Sequence, residues 1–231
     1  MNFLDLFFPK RCVICRRAGS YLCENCFINL SFDAKNLCLI CNKPSYNNLT
    51  HPVCRRRYSI DGCFSALTYN KTTQKLIFSF KYKPYLTDIK PVLSDLFYES
   101  LIQNENFNIL MADGEWIMIP IPLSKTKLRK RGYNQSEILA KELSKRLGFQ
   151  TLGILKRIKD TKTQVGKSNI DRKLNIKGAF STPNHQSSII NHQSVFLIDD
   201  VVTTGSTLKE AANVLKRAGA KKVIGLTLAR D

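Results

Sequence analysis

Apolar positions in this chain follow two patterns, and the change from one to the other outlines a fold. Short unbroken runs, Val195 with Phe196, Leu197 and Ile198, and residues 116–121 (WIMIPI), have the length and composition of strands buried on both faces, as in a parallel sheet. Residues 64–69 alternate enough to make another strand. Elsewhere apolar residues recur at helical intervals: Leu76, Ile77 and Phe80; Val92, Leu93, Leu96 and Phe97; Ile138, Leu139, Leu143 and Leu147; Leu208, Ala211, Ala212 and Leu215. The pattern predicts an α/β domain, a mostly parallel sheet flanked by helices. Asn134 with Glu137, and Thr207 with Glu210, stand where helix caps belong, and Gly148 and Gly219 stand where helices stop. Residues 102–114 read as a connection. Residues 182–194 read as an exposed loop whose His185 and His192 have no ligand set around them.

The chemistry concentrates at residues 195–207, VFLIDDVVTTGST. A buried strand ends in Asp199 and Asp200, and a loop of Thr203, Thr204, Gly205, Ser206 and Thr207 leads into a helix. Backbone N–H groups, threonine hydroxyls and a helix dipole together make an anion cradle, while the adjacent carboxylates accept hydrogen bonds from sugar hydroxyls. A ligand with a phosphate at one end and a diol beside it is a 5-phosphoribosyl group. The signatures G-x-x-x-x-G-K-[ST] and G-x-G-x-x-G are absent from the sequence, which argues against the usual NTPases and dinucleotide enzymes.

All eight cysteines lie in the first 63 residues. Two adjacent C-x-x-C pairs supply one tetrahedral zinc set, Cys12, Cys15, Cys23 and Cys26; a second set uses a histidine, Cys38, Cys41, His51 and Cys54. Spacing alone also permits an interleaved pairing of Cys12 and Cys15 with Cys38 and Cys41. So short a unit builds little core, so the zinc reads as structural. Cys63, at the start of the alternating segment, reads as a buried strand residue. The expected units are residues 1–60 and 61–231.

Charge adds a partner class. The net charge of +18 includes Lys125, Lys127, Arg129, Lys130 and Arg131 in one short segment, a field that favours polyanions such as single-stranded DNA or a phosphorylated sugar. A basic and aromatic stretch, Tyr69 to Tyr85, would suit stacking of unpaired bases. No apolar run approaches the ~20 residues of a membrane span, and residues 1–10 do not read as a signal peptide, so the cytoplasm is the expected location.

Residues 195–207 resemble, position by position, the PRPP-binding motif of type I phosphoribosyltransferases. That resemblance implies that Asp199 and Asp200 hold the ribose hydroxyls and residues 203–207 the 5′-phosphate, with Val201 in the same cofactor-binding run. The pattern Pro120-x-Pro122-Leu123, then Arg131-Gly132-Tyr133-Asn134-Gln135, Arg157, Thr163-Gln164, Arg172, Asn175 and Gly178-Ala179-Phe180 closely resembles the ComF family of competence proteins, as does the double zinc ribbon. The departure is His51, where a cysteine is usual. The resemblance implies a type I phosphoribosyltransferase fold behind a zinc ribbon, magnesium with PRPP, and single-stranded DNA handling in natural transformation. Ser124 and Lys125 would meet the pyrophosphate, a flexible loop carrying Lys127, Arg129 and Arg131 would close over it, and Arg131 would act with Asp199 and Asp200. Two alternatives stand beside this: an active transferase on a base or amine, and a non-catalytic docking adaptor for a helicase partner.

Overall fold

The computed structural model describes residues 9–82, 89–160, 176–183 and 187–231. Within them the chain forms α1 (Glu24–Phe27), β1 (Gly62–Thr68), α2 (Lys71–Tyr82), α3 (Ile89–Ile102), α4 (Glu105–Ala112), β2 (Trp116–Pro120) and α5 (Lys125–Arg131). It continues with α6 (Gln135–Leu147), β3 (Gln150–Thr151), β4 (Lys156–Arg157), β5 (Phe180–Ser181), α7 (Ser187–Ile190), β6 (Ser194–Val202), α8 (Ser206–Arg217) and β7 (Lys222–Arg230). Thr163, Gln164, Arg172, Asn175, His185, Lys83 and Tyr85 lie outside the described residues.

The expected α/β architecture is present. A five-stranded sheet runs in the order β1-β7-β6-β2-β3, with every described pairing parallel, while β4 and β5 form a separate antiparallel pair. The unbroken apolar run of β6 reflects its central place. Phe196 and Ile198 face one core with α2, α3, α4 and α6, and Val195 and Leu197 face the other with α8. Trp116 stacks on Phe196 with ring centroids 4.0 Å apart, fastening β2 to β6.

Four expectations change. Residues 102–114 contain a helix, α4, because the Asn104 side chain accepts from the Phe107 N–H at 3.1 Å and Phe107 and Leu110 reach the core. The basic segment is helix α5 rather than a flexible loop: Ser124 caps it, accepting from the Lys127 N–H at 3.4 Å, and Gly132 ends it at φ 79°. Helix α8 begins at Ser206 with Gly205 as its cap, so Thr207 lies inside the first turn, and Glu210 accepts from the Gly178 N–H at 2.6 Å instead of closing a capping box. Residues 182–194 include α7, whose Ile190 is fully buried.

The cysteine-rich segment packs onto the sheet domain on both sides. Val13 of the first C-x-x-C turn joins the core containing α2, and Leu39 of the second joins the core containing α8. The Thr68 N–H donates to Ser31 at 2.8 Å, and Arg230 Nη1 donates to the carbonyls of Lys35 and Leu37 at 3.0 and 3.3 Å. Among the described residues no helix is long and apolar enough to cross a membrane.

Candidate functional site

Two four-ligand groups form as the spacing predicts, Cys12, Cys15, Cys23 and Cys26, and Cys38, Cys41, His51 and Cys54. Within each, the ligand atoms lie within 4.8 Å of one another, so the interleaved pairing is overturned. Tetrahedral zinc with Zn–S bonds of ~2.3 Å sets ligand sulfurs roughly 3.8 Å apart. Cys15 and Cys23 are already at 3.5 Å.

Both groups are built on one plan. A tight turn follows the first pair, in which the Arg16 N–H donates to Cys12 and the Asn42 N–H to Cys38 at 2.9 and 2.8 Å. A single helical turn presents the second pair, the Cys26 N–H donating to Cys23 and the Cys54 N–H to His51, each at 2.9 Å. His51 therefore stands where Cys23 stands. Its Nδ1 lies 3.3 Å from the Cys41 sulfur and its Nε2 lies 2.8 Å from the Pro44 carbonyl, the outer hydrogen bond that orients a metal-binding imidazole.

The donor chemistry fits zinc. Burial raises the Cys12 thiol, but N–H groups of Cys15, Cys23 and Ile14 draw it down to about 6. Cys26 is pushed up to about 12 by burial, by hydrogen bonds with Cys15, Cys23 and Cys12, and by the charge of Cys12. Sulfurs this close ionise together only around a cation.

The second site lies at the end of β6. Asp200 is buried and forms an ion pair with Lys81 of α2 at 2.9 Å. Asp199 accepts from Ser136 Oγ at 3.2 Å and from the Asp200 N–H at 2.9 Å. Burial first, and then the charge of Asp200, push the Asp199 carboxyl up to about 7, while the Asp200 N–H, Lys81 and Ser136 pull against the rise. Two adjacent carboxylates in this state suit a cation or a diol.

Beyond them, Thr204 Oγ1 and Ser206 Oγ lie 2.8 Å apart, the Ser206 N–H reaches Thr204 Oγ1 at 3.4 Å, and α8 runs away from the loop. Thr203 is exposed, Thr204, Ser206 and Thr207 are half-buried, and Gly205 is buried at φ 67°.

Cations approach from two further elements, α5 and β4. Lys127 is half-buried, and its ammonium is depressed by burial and then by the charges of Arg157, Arg131 and Lys81. Arg157 is depressed by burial, which the charges of Asp199 and Asp160 oppose. Arg131 donates to Gln135 Oε1 at 2.8 Å and to Tyr82 Oη at 3.4 Å, with its guanidinium 5.2 Å from the Tyr82 ring. Ser124 is buried as a cap, whereas Lys125 and Arg129 point to solvent.

The structure thus brings the acidic pair and the loop together at the end of β6 and adds Lys81 and Ser136, partners of the pair that sequence reasoning missed. Ser136 carried a signal, since it sits in the first turn of a helix whose cap, Asn134, was legible. Lys81 carried none.

The raised Asp199 carboxyl makes a pH prediction. A carboxyl whose folded pKa lies above its unfolded value favours folding while protonated. That contribution is complete below the usual carboxylate range and is lost as pH rises through about 7. Asp199→Asn has nothing to ionise, so its melting temperature should gain on that of the wild type between about pH 4 and pH 8. Thermal unfolding of both proteins without ligand measures the gap. A gap that does not grow with pH would mean that Asp199 titrates in the folded protein as an ordinary carboxyl does.

Residues 3–56 match the double zinc ribbon domain, and residues 130–231 match the phosphoribosyl transferase domain. The chain is 41% identical over 114 residues to Competence protein F of Haemophilus influenzae, covering 49% of each chain. It is 29% identical over 221 residues to Competence protein ComFC of Bacillus subtilis, covering 91% of this chain and 84% of that one. It is 36% identical over 107 residues to DNA utilization protein YhgH of Escherichia coli strain K12, covering 46% of this chain and 45% of that one. The match spans about half the length of the Haemophilus and Escherichia relatives. With a double zinc ribbon at one end, a phosphoribosyltransferase domain at the other, and a competence relative aligned through nearly its whole length, the chain is similar to the ComF competence proteins.

Proposed function

We propose that this protein binds PRPP at the end of β6 and acts in DNA uptake by handling single-stranded DNA. The observation that carries the first part is the continuity of the Asp199–Asp200 pair with the 203–206 loop at the start of α8. In this reading Asp199 and Asp200 accept from the ribose hydroxyls, and Lys81 exchanges its ion pair with Asp200 for the ligand's own charges. Thr203, Thr204, Ser206 and Thr207 donate to the 5′-phosphate. Lys127, Arg131 and Arg157 face the pyrophosphate, with Ser124 and Lys125 at the neighbouring strand end. Magnesium bound with PRPP would supply further neutralisation of the leaving group.

If an acceptor is present, the carboxylates stabilise the positive charge that develops on the ribosyl ring. Calorimetric titration of PRPP in magnesium tests the binding. A saturable one-to-one isotherm is expected, and the absence of heat at millimolar ligand would overturn the reading. Pyrophosphate release measured across a panel of bases and amines then separates a transferase from a protein that only senses PRPP.

The DNA part draws on a different patch and on the names of the relatives. Phe78 and Tyr82 are exposed side by side on α2, ring centroids 4.8 Å apart, and Lys130 and Arg131 lie over the Tyr82 ring. Together with Lys81 they line a cavity of about 440 Å³. An aromatic platform beside exposed cations suits unpaired bases and their phosphates.

Single-stranded DNA should bind with a steep salt dependence. Neutralising Lys125, Arg129 and Lys130 together should lower the slope of log K against log salt by about 2, since each phosphate contact on a single strand contributes ~0.7. Filter binding between 50 and 300 mM salt would show it. An unchanged slope moves the contact elsewhere, with Arg55, Arg56 and Arg57 next in line.

A further inference from the structure

We propose that the second zinc knuckle is a wall of the phosphate site, with Leu39 and Lys209 as the positioning residues that hold residues 204 and 205 in shape. This rests on the PRPP reading above. Leu39 lies between the ligands Cys38 and Cys41, and its side chain is buried against the loop. A Cβ built on Gly205 would stand 2.8 Å from Leu39 Cδ2, so the knuckle presses on the loop where only glycine fits. Gly205 is needed twice over, for that approach and for its φ of 67°.

Lys209, in the first turn of α8, supplies the tie. Its ammonium donates to the Thr204 carbonyl at 2.7 Å and to the Leu39 carbonyl at 3.0 Å. One side chain therefore spans the phosphate loop and the metal knuckle. Its backbone N–H donates to Gly205 at 2.9 Å, closing the first helical bond of α8 on the same residue. A second tie, from Arg230 to the carbonyls of Lys35 and Leu37, holds the chain just before Cys38.

A loop that presents N–H groups to a phosphate binds well only if those groups are aimed before the ligand arrives. With no knuckle beneath it, residues 204 and 205 would have to be ordered by the ligand itself. Ligand affinity and the integrity of the Cys38–Cys41–His51–Cys54 group are thereby coupled.

The test uses full-length, zinc-loaded protein and the variants Leu39→Ala, Lys209→Met and Lys209→Arg, titrated with ribose 5-phosphate and, separately, with pyrophosphate. Removing a charged hydrogen-bond donor from these half-buried carbonyls is expected to weaken ribose 5-phosphate about tenfold in Lys209→Met, and loss of the Leu39 wall should weaken it similarly in Leu39→Ala. Lys209→Arg, which can still reach both carbonyls, should restore most of the affinity. Zinc content should stay at the wild-type value and pyrophosphate affinity should not move. Amide hydrogen exchange of residues 203–209 without ligand should quicken in Lys209→Met, which reports on the clamp even if Leu39→Ala does not fold.

Wild-type affinity for ribose 5-phosphate with unchanged exchange in Lys209→Met would overturn the clamp and leave the PRPP reading intact. A parallel loss of zinc, pyrophosphate and ribose 5-phosphate would make Lys209 merely structural. Failure of the wild type to bind ribose 5-phosphate or PRPP would instead sink the PRPP reading, and the proposed phosphate wall with it.

Discussion

PRPP with magnesium is expected to raise the melting temperature of the wild type, and replacing Asp199 and Asp200 together by asparagine is expected to erase that rise. A ligand at a hundred times its dissociation constant stabilises the native state by about 2.7 kcal/mol, which for a chain of this size is roughly 5–10 °C. In the proposed site the two carboxylates supply acceptors to the ribose hydroxyls and the negative charge that steadies the ribosyl ring; asparagine keeps the shape but loses the charge and exchanges one acceptor on each side chain for a donor. The unliganded variant should fold, because Lys81, the partner of Asp200, retains some exposure and can turn to solvent. Differential scanning fluorimetry with and without ligand reads the outcome. A double variant that still shifts by several degrees would mean that PRPP is held elsewhere.

Zinc should be present at two ions per chain, and losing either is expected to cost more stability than any single core substitution. Structural zinc sites supply an apparent ~10–16 kcal/mol in small zinc-finger domains, while large-to-small core changes cost about 2–5 kcal/mol. The geometry makes both sites matter to the sheet domain, since Val13 and Leu39 carry the two knuckles into cores on opposite faces of one sheet. Native mass spectrometry should give two ions for the wild type and one for Cys38→Ser, with a large fall in the unfolding midpoint for the variant. One ion in the wild type would remove the histidine-containing site.

Much of this architecture was legible because it depends on local pattern. The run 195–198 could only be a strand buried on both faces, and an acidic pair followed by hydroxyls and a glycine could hardly be core. Strand β7 was not legible. Its apolar run is broken by Gly225, where a Cβ would meet Leu208 Cδ1 at 3.0 Å and the Cys63 sulfur at 3.2 Å, and by Thr227, whose hydroxyl bonds Ser65 at 2.7 Å. Both interruptions answer to tertiary neighbours. Helix α5 lacks apolar periodicity and owes its existence to its caps. Lys81 meets Asp200 across 119 residues, a pairing that no window of sequence contains. The plan of two like zinc turns, by contrast, was written in the spacing, and the sheet domain then decided which knuckle lies on which face.

The strand order has a consequence for how the chain is made. Among the described residues strand β1 finds its ladder partner in β7, the last described element, and Ser65 and Thr227 are 162 residues apart. During vectorial synthesis β1 therefore emerges long before its parallel partner, with only a bridge from Gly62 to Leu49 and a bond from Thr68 to Ser31 to hold it, and its other edge is of the kind that invites misassembly. Each zinc group, in contrast, closes within a few turns of chain. Metal capture can thus come first, with β1 waiting beside a finished ribbon until the final strand slots between it and β6.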